Sequence, residues 1–411
     1  MTLLPFIRTN ARWLLAGGLL TFSSSFGQTF FISIFAGRIT DAYRLTDGQW
    51  GSVYGLGTMA SGFLMLWAGG LVDRFRARDI ASVMMGALAC MCLAMAISRN
   101  AALLVAIIFG LRFCGQGMLS HIATVAMARW FTAARGRALA LASLGFSLGE
   151  AALPLTFAAL LLLFPWTALW AIAALLVLAL IPVIRRLLRE ERTPRALAQE
   201  EGTRGMGGRH WTRGQALRHW LFWAVMPLAI APPMLSTAFF FQQVHFAASK
   251  GWPLIHLVAL FPAFTVTVVL SAMAYGIAVD RWGSVRILPL FQLPMAAAFL
   301  IWGASTELWQ VLVGLVLMGT MQGGNSVVPA AFWTEVYGTR HLGSIKALVA
   351  AEMVLGSAIG PAVTGALIDR GMPFQDQMPW IAGFVVAACA LSFSAVTVAR
   401  RKMLPPVNAS A

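Results

Sequence analysis

Long apolar runs separated by short polar connections fill the chain from residue 13 to residue 399. A helix crossing a bilayer needs roughly 20 mostly apolar residues. Twelve runs come close to that length or exceed it: 13–37, 48–72, 80–98, 101–128, 137–162, 164–184, 219–247, 253–279, 286–304, 307–333, 341–368 and 378–399. We number them helices 1 to 12. The runs are continuous rather than alternating, which predicts helices and excludes a membrane barrel. No small-residue cleavage site follows the first run, so it is expected to be retained as a helix. The expected fold class is all-α and integral to the membrane.

Composition agrees. Of 411 residues, 59% are hydrophobic and 11% charged, against about 25% charged in an ordinary soluble domain. The formal charge of +15 would suit a nucleic-acid binder, but no soluble binder is this apolar. Placing the N-terminus in the cytoplasm explains the excess. That side then carries 24 of the 30 Lys and Arg, the other side five (Arg38, Arg44, Arg99, Lys250 and Arg370), and Arg112 lies between. This asymmetry is the positive-inside rule, and it predicts a multi-pass protein of a bacterial-type inner membrane with both termini cytoplasmic. The four cysteines (Cys90, Cys92, Cys114, Cys389) all sit in apolar stretches and read as buried thiols, with no metal-ligand spacing. No cofactor is implied.

The two halves repeat at an offset of 207 residues. Gly69, Asp73 and Arg74 at the end of helix 2 answer to Gly276, Asp280 and Arg281 at the end of helix 8. Gly136, Gly149 and Pro154 answer to Gly343, Gly356 and Pro361. A duplicated six-helix unit is typical of secondary transporters, whose substrate site lies between the repeats. The expected organisation is a bundle over 1–184, a cytoplasmic linker over 185–218 and a second bundle over 219–411 with a cytoplasmic tail. The linker is basic (Arg185, Arg186, Arg189, Arg192) and reads as a solvated connection.

These residues resemble the major facilitator superfamily, whose loop between helices 2 and 3 reads Gly-x-x-x-Asp-Arg-x-Gly-Arg-Lys/Arg. Here Gly69, Asp73, Arg74 and Arg78 keep the pattern, with Arg76 in place of the second glycine; the second copy keeps that glycine as Gly283. The resemblance implies two pseudo-symmetric six-helix bundles and a gating latch formed by Asp73 and Arg74, echoed by Asp280 and Arg281. Trp130-Phe131 followed by Arg135-Gly136-Arg137-Ala138 is similar to the helix 4–5 connection of the monocarboxylate and oxalate/formate branch. That branch usually carries Asp and Arg in helix 8, whereas residues 253–279 hold no formal charge. Gly356 to Pro361 in helix 11 resembles the Gly-Pro motif that drug exporters carry in helix 5.

Three charges fall deep inside apolar runs, where each costs about 2.5–3.5 kcal/mol on insertion scales: Arg112 in helix 4, Glu150 in helix 5 and Glu352 in helix 11. Helix rise sets Arg112 about 25 Å from Arg129, and Glu150 about 22 Å from Arg135. The two share a depth, so an ion pair is expected, functional or merely structural. Glu352 lies about 18 Å from Arg340 with no basic partner at its depth, which suits a proton carrier. His121 in helix 4 is a further candidate for a proton path, or a packing residue. Gln28, Gln116, Gln242, Gln243, Gln322 and Asn325 place amides in helices 1, 4, 7 and 10, the helices that line the cavity by the resemblance.

Enzyme chemistry is not expected. Gly145-x-Ser147-x-Gly149 matches a nucleophile elbow in letters, but it lies within an apolar helix rather than at a strand–turn–helix junction. No phosphate-binding loop or metal motif is visible. The expected function is secondary transport of a small organic anion such as a carboxylate, coupled to protons as a symporter or antiporter, by a monomer in the lipid bilayer without nucleic acid. Proton-driven export of amphipathic drug-like compounds is the alternative. Arg112, Gln28, Gln116, Gln242, Gln322 and Asn325 are the expected substrate ligands, and Glu150, Glu352 and His121 the proton-coupling groups. Cysteines introduced in the 185–218 loop are expected to react with impermeant maleimide only from the cytoplasmic side; labelling of intact cells from outside would reverse the topology.

Overall fold

A computed structural model describes residues 3–131, 135–190, 205–338 and 342–403. It is helical from end to end among the described residues. Among the described residues, eight helices are long and apolar enough to cross a membrane, and the bent first helix makes a ninth. Helices 2, 9 and 11 complete the twelve: helix 9 is short (Leu293–Ala304), and helices 2 and 11 are rich in glycine and alanine. Helices 3 (Ala77–Ile97), 5 (Arg135–Leu160), 6 (Trp166–Leu187), 10 (Leu308–Tyr337), 11 (Leu342–Asp369) and 12 (Phe374–Met403) are unbroken.

Others depart from the continuous helices expected above. Helix 1 begins at Leu3, stops at the Ser23-Ser24-Ser25 run, and bends by 48° about Gln28, whose backbone is extended (φ −87°, ψ 154°). Serine and glycine hold a helix weakly, which explains where it yields. Helix 4 carries a π-helical stretch, Arg112–Leu119, between Ala101–Leu111 and Ser120–Trp130. Helix 7 (Trp220–Phe241) breaks at Gln242 and resumes as Gln243–Ser249. In helix 8, Leu254–Val258 precedes Phe261–Trp282.

The repeat seen in sequence is a repeat in packing. A Cβ on Gly149 of helix 5 would meet Ser25 of helix 1; a Cβ on Gly356 of helix 11 would meet Ile230 and Met234 of helix 7. The halves meet mainly along helices 2 and 11. Gly48, Gly51, Gly55 and Gly62 of helix 2 (Asp47–Ala68) face Asp369, Pro361, Ala358 and Val354 of helix 11. Such small-residue seams bring backbones close without apolar side chains between them.

Helix 7 contains Pro227, Pro232 and Pro233. Proline lacks the N–H that would bond the carbonyl four residues earlier, so Pro232 frees the Leu228 carbonyl. Buried Gln292, just before helix 9, donates its Nε2 to that carbonyl at 2.6 Å. A freed backbone acceptor in a bilayer must find such a partner. Gln292→Leu is therefore expected to cost about 1–3 kcal/mol of stability in detergent. The same change in a Pro232→Ala background should cost clearly less, because the alanine restores the backbone donor. Equal losses in melting temperature in both backgrounds would refute the compensation.

Candidate functional site

The deepest polar site is built where helix 1 breaks and helix 4 widens. Gly27 and Gly115 touch backbone to backbone: a Cβ on Gly115 would lie 2.6 Å from the Gly27 Cα. That approach brings the extended turn of helix 1 against Arg112, which is 2% exposed. Arg112 Nη1 donates to the Gly27 carbonyl (3.3 Å) and to Thr29 Oγ1 (3.2 Å). Its Cζ sits 5.2 Å from the ring of Tyr54 on helix 2, within cation–π range. Tyr54 Oη closes the triangle with Thr29 Oγ1 at 2.6 Å. Nε is buried without a partner, and among the described residues no carboxylate lies within ion-pair distance of the guanidinium.

The expected pair with Glu150 is thus not formed. Helix rise sets both residues at a similar expected height, but the guanidinium turns toward helices 1 and 2 instead. Glu150 is 8% exposed on helix 5 and has no ion-pair partner among the described residues. Pro154, one turn on, leaves the Glu150 carbonyl without its helical donor. Glu352 is equally buried at 8%, and neither carboxyl oxygen has a partner.

The amides divide. Gln116 sits on the π-helical stretch, and its Oε1 is buried and unpartnered, as is Gln322 Oε1 on helix 10. Asn325 is half-buried one turn beyond Gln322, and Gln28 is buried at the break in helix 1. Gln242 is already engaged, donating to Thr364 Oγ1 of helix 11 at 3.2 Å. Gln243 crosses between halves, donating to Ser33 Oγ (2.8 Å) and to the Phe30 carbonyl (3.4 Å) of helix 1.

His121 is half-buried and donates from Nε2 to the Gly69 carbonyl at 3.1 Å. It ties helix 4 to the joint where helix 2 gives way to the short helix Leu71–Arg74, which carries Asp73 and Arg74. Arg74 is exposed, as are Asp280 and Arg281, whose guanidinium lies 5.6 Å from the Trp282 ring. In the second copy, Gly283 turns the chain at φ 79°, and Glu335 of helix 10 accepts from the Ser284 N–H and hydroxyl.

Sequence reasoning missed the contacts sealing the end of the bundle away from the termini. Thr46 Oγ1 donates to Asp369 Oδ2 (2.6 Å), and His245 Nδ1 lies 3.4 Å from Asp47 Oδ2. Phe241 of helix 7 stacks on Trp50 (5.5 Å) and meets Tyr54 (4.7 Å). We call this the distal seal. No single-sequence signal singles these residues out, since each has an ordinary place near a helix end or on an apolar face.

The sequence matches the Major Facilitator Superfamily over residues 17–271 and 247–410. No curated protein shows a significant match. Among solved structures, a bacterial homolog to the human lysosomal transporter Spinster, inward-facing and unoccupied, is 15% identical with a TM-score of 0.74, covering 97% of this chain and 99% of that one. Its occupied form is 14% identical at the same TM-score, with 96% and 98% covered. The nucleoside transporter NupG is 12% identical with a TM-score of 0.69, covering 93% of this chain and 98% of its own.

The glycine contact behind Arg112 is directly testable. Gly115→Ala should push helices 1 and 4 apart and cost about 1–3 kcal/mol by overpacking, read as a lower melting temperature of the purified protein. Gly86→Ala, where a Cβ meets nothing within 4 Å, is the control and should leave it unchanged. Equal behaviour of the two variants would contradict the close crossing.

Proposed function

We propose that this chain, which belongs to the major facilitator superfamily, transports a small organic anion of the carboxylate type by alternating access, coupled to protons. One observation carries the reading: a guanidinium buried among helices 1, 2 and 4 with no carboxylate beside it. Breaking a buried ion pair by removing one partner costs about 3–5 kcal/mol, and Arg112 stands as such a half-pair. Neutral acceptors, a carbonyl and a hydroxyl, hold it in place. A carboxylate would engage its planar fork bidentately. A nucleoside has no formal charge and would leave Arg112 uncompensated. The unpartnered amide oxygens of Gln116 and Gln322 are acceptors for hydroxyl or amide donors on the same substrate.

With the termini in the cytoplasm, the distal seal faces outward, and the described state is closed on that side. Alternating access is then an exchange between this seal and a latch at the opposite end, where Asp73, Arg74, Asp280 and Arg281 lie. Glu150 and Glu352 are the proton-coupling groups. Each is a buried carboxyl without an ionic partner, so gaining or losing a proton changes the local charge by one with nothing to offset it.

Proteoliposomes with an imposed pH gradient and a panel of carboxylates, nucleosides and lipophilic cations test the reading. Arg112→Lys should raise the apparent KM for the carboxylate about tenfold or more, since a point charge cannot reproduce the fork. Glu150→Gln or Glu352→Gln should keep substrate exchange but lose accumulation driven by the gradient. Flux of cations alone, or an unchanged KM in Arg112→Gln, would overturn the anion reading and favour a drug-type exporter.

A further inference from the structure

Tyr54 touches both halves of the protein and the buried cation at once. It is fully buried on helix 2. Its ring lies under the Arg112 guanidinium, its hydroxyl bonds Thr29 Oγ1 on the resumed stretch of helix 1, and its ring also meets Phe241 of helix 7. Phe241 ends the first piece of helix 7, and after the break at Gln242 comes Gln243, which holds Ser33 and the Phe30 carbonyl. One aromatic ring therefore separates the cation from the joint on which the distal seal hangs. We propose that Tyr54 is the positioning residue that couples occupancy of the Arg112 site to opening of the distal seal, a role that rests on Arg112 being the anion site.

Competition for the guanidinium supplies the physical basis. Nη1 spends its contacts on Gly27 and Thr29. A carboxylate that pairs bidentately with the edge containing the unpartnered Nε pulls the guanidinium toward itself, off the ring and away from Thr29. Thr29 Oγ1 is the shared atom: as a hydroxyl it accepts from Nη1 while hydrogen-bonding Tyr54 Oη. When the cation leaves, Tyr54 loses the charge over its face, and its hydroxyl partner loses the neighbour that oriented it. The ring is then free to repack against Phe241 and Trp50, which stack at 22°. Interfaces of this kind switch between discrete packings rather than deforming smoothly, so a small movement of one ring is amplified. Trp50 and Tyr54 both lie on helix 2 beside the glycine seam, which carries the change along the contact between halves.

A ligand-free double-mutant cycle on the full-length protein tests the coupling. The reporter is Val244→Cys with the four native cysteines replaced by alanine; Val244 Cγ1 lies 3.5 Å from where a Cβ on Gly37 of helix 1 would sit, so the thiol reports parting of the halves. Arg112→Gln and Tyr54→Leu should each speed maleimide labelling about fivefold, the scale of one lost cation–π or ring contact. Together they should be no faster than the faster single variant. Multiplying rates would overturn the proposal. Phe241→Leu, which reaches the ring from the other half, repeats the cycle if Tyr54→Leu does not fold.

A second arm uses oxalate and lactate as probes. Either anion should speed labelling while Tyr54 is present and fail to do so in Tyr54→Leu at anion concentrations that calorimetry shows to saturate each protein. Equal acceleration in both proteins would overturn the coupling. Absence of binding to the protein with Tyr54 intact would instead count against the anion reading, and the ligand-free cycle alone would then decide the coupling.

Discussion

A guanidinium held inside a bilayer without a carboxylate is the constraint around which this structure is arranged. Arginine does not shed its proton to escape the cost, so the backbone must meet it. Helix 1 interrupts its regular α-helical pattern at Gln28 and offers the Gly27 carbonyl and Thr29 hydroxyl instead. Helix 4 widens into a π-helical stretch at Arg112 itself. Two glycines let these distorted segments cross at backbone contact, and an aromatic face supplies the remaining electrostatic support. Each distortion is costly alone in a medium without water. Together they make a site that is held in place yet electrically unfinished, the condition under which an anionic ligand has the most to contribute.

Pseudo-symmetry shows which features belong to the scaffold and which to the site. The glycines and prolines of helices 5 and 11 keep their 207-residue offset, and one pair of them, Gly149 and Gly356, packs against matching stretches of helices 1 and 7. The three charges within the membrane-spanning helices do not follow that offset, although the loop residues Asp73 and Arg74 do, as Asp280 and Arg281. Gly319 stands at the counterpart of Arg112, Ser357 at that of Glu150, and Gly145 at that of Glu352. Helix 10 runs unbroken where helix 4 is π-helical, and helix 7 breaks at Gln242 rather than at the counterpart of Gln28. Small residues are therefore shared because they set helix approach, whereas the ionisable groups inside the membrane are placed once each.

Spans, repeat and loop motifs were legible in the sequence because hydropathy and glycine spacing act locally along one helix. Depth along a helix is open to the same local reasoning, and rise per residue sets Arg112 and Glu150 at similar expected heights. Azimuth is not. Which way the Arg112 side chain turns depends on the break in helix 1 and the π-helical stretch of helix 4, neither of which apolar periodicity encodes. The partners of Gln242 and Gln243 were hidden likewise, because Thr364 and Ser33 lie on helices more than 120 and 200 residues away in sequence. Gln292 looked unremarkable until Pro232 was seen to need it.

A transporter's seal must hold in one state and part in the other, so its strength has an upper bound. Two states that exchange readily differ by only a few kcal/mol. The distal seal uses contacts of that scale: Gln243 on Ser33, Thr46 on Asp369, His245 by Asp47, and the Phe241–Trp50–Tyr54 rings. Interhelical hydrogen bonds within bilayers average about 0.6 kcal/mol, and an aromatic pair adds about 0.5–1.5 kcal/mol. A handful of them totals a few kcal/mol, which one well-placed ligand can outweigh. The glycine seam of helices 2 and 11 fits the same requirement, since it brings the halves together without interlocked side chains that would have to be pulled apart. The geometry that makes Arg112 expensive to bury thus sits beside a closure weak enough for a single bound ligand to tip.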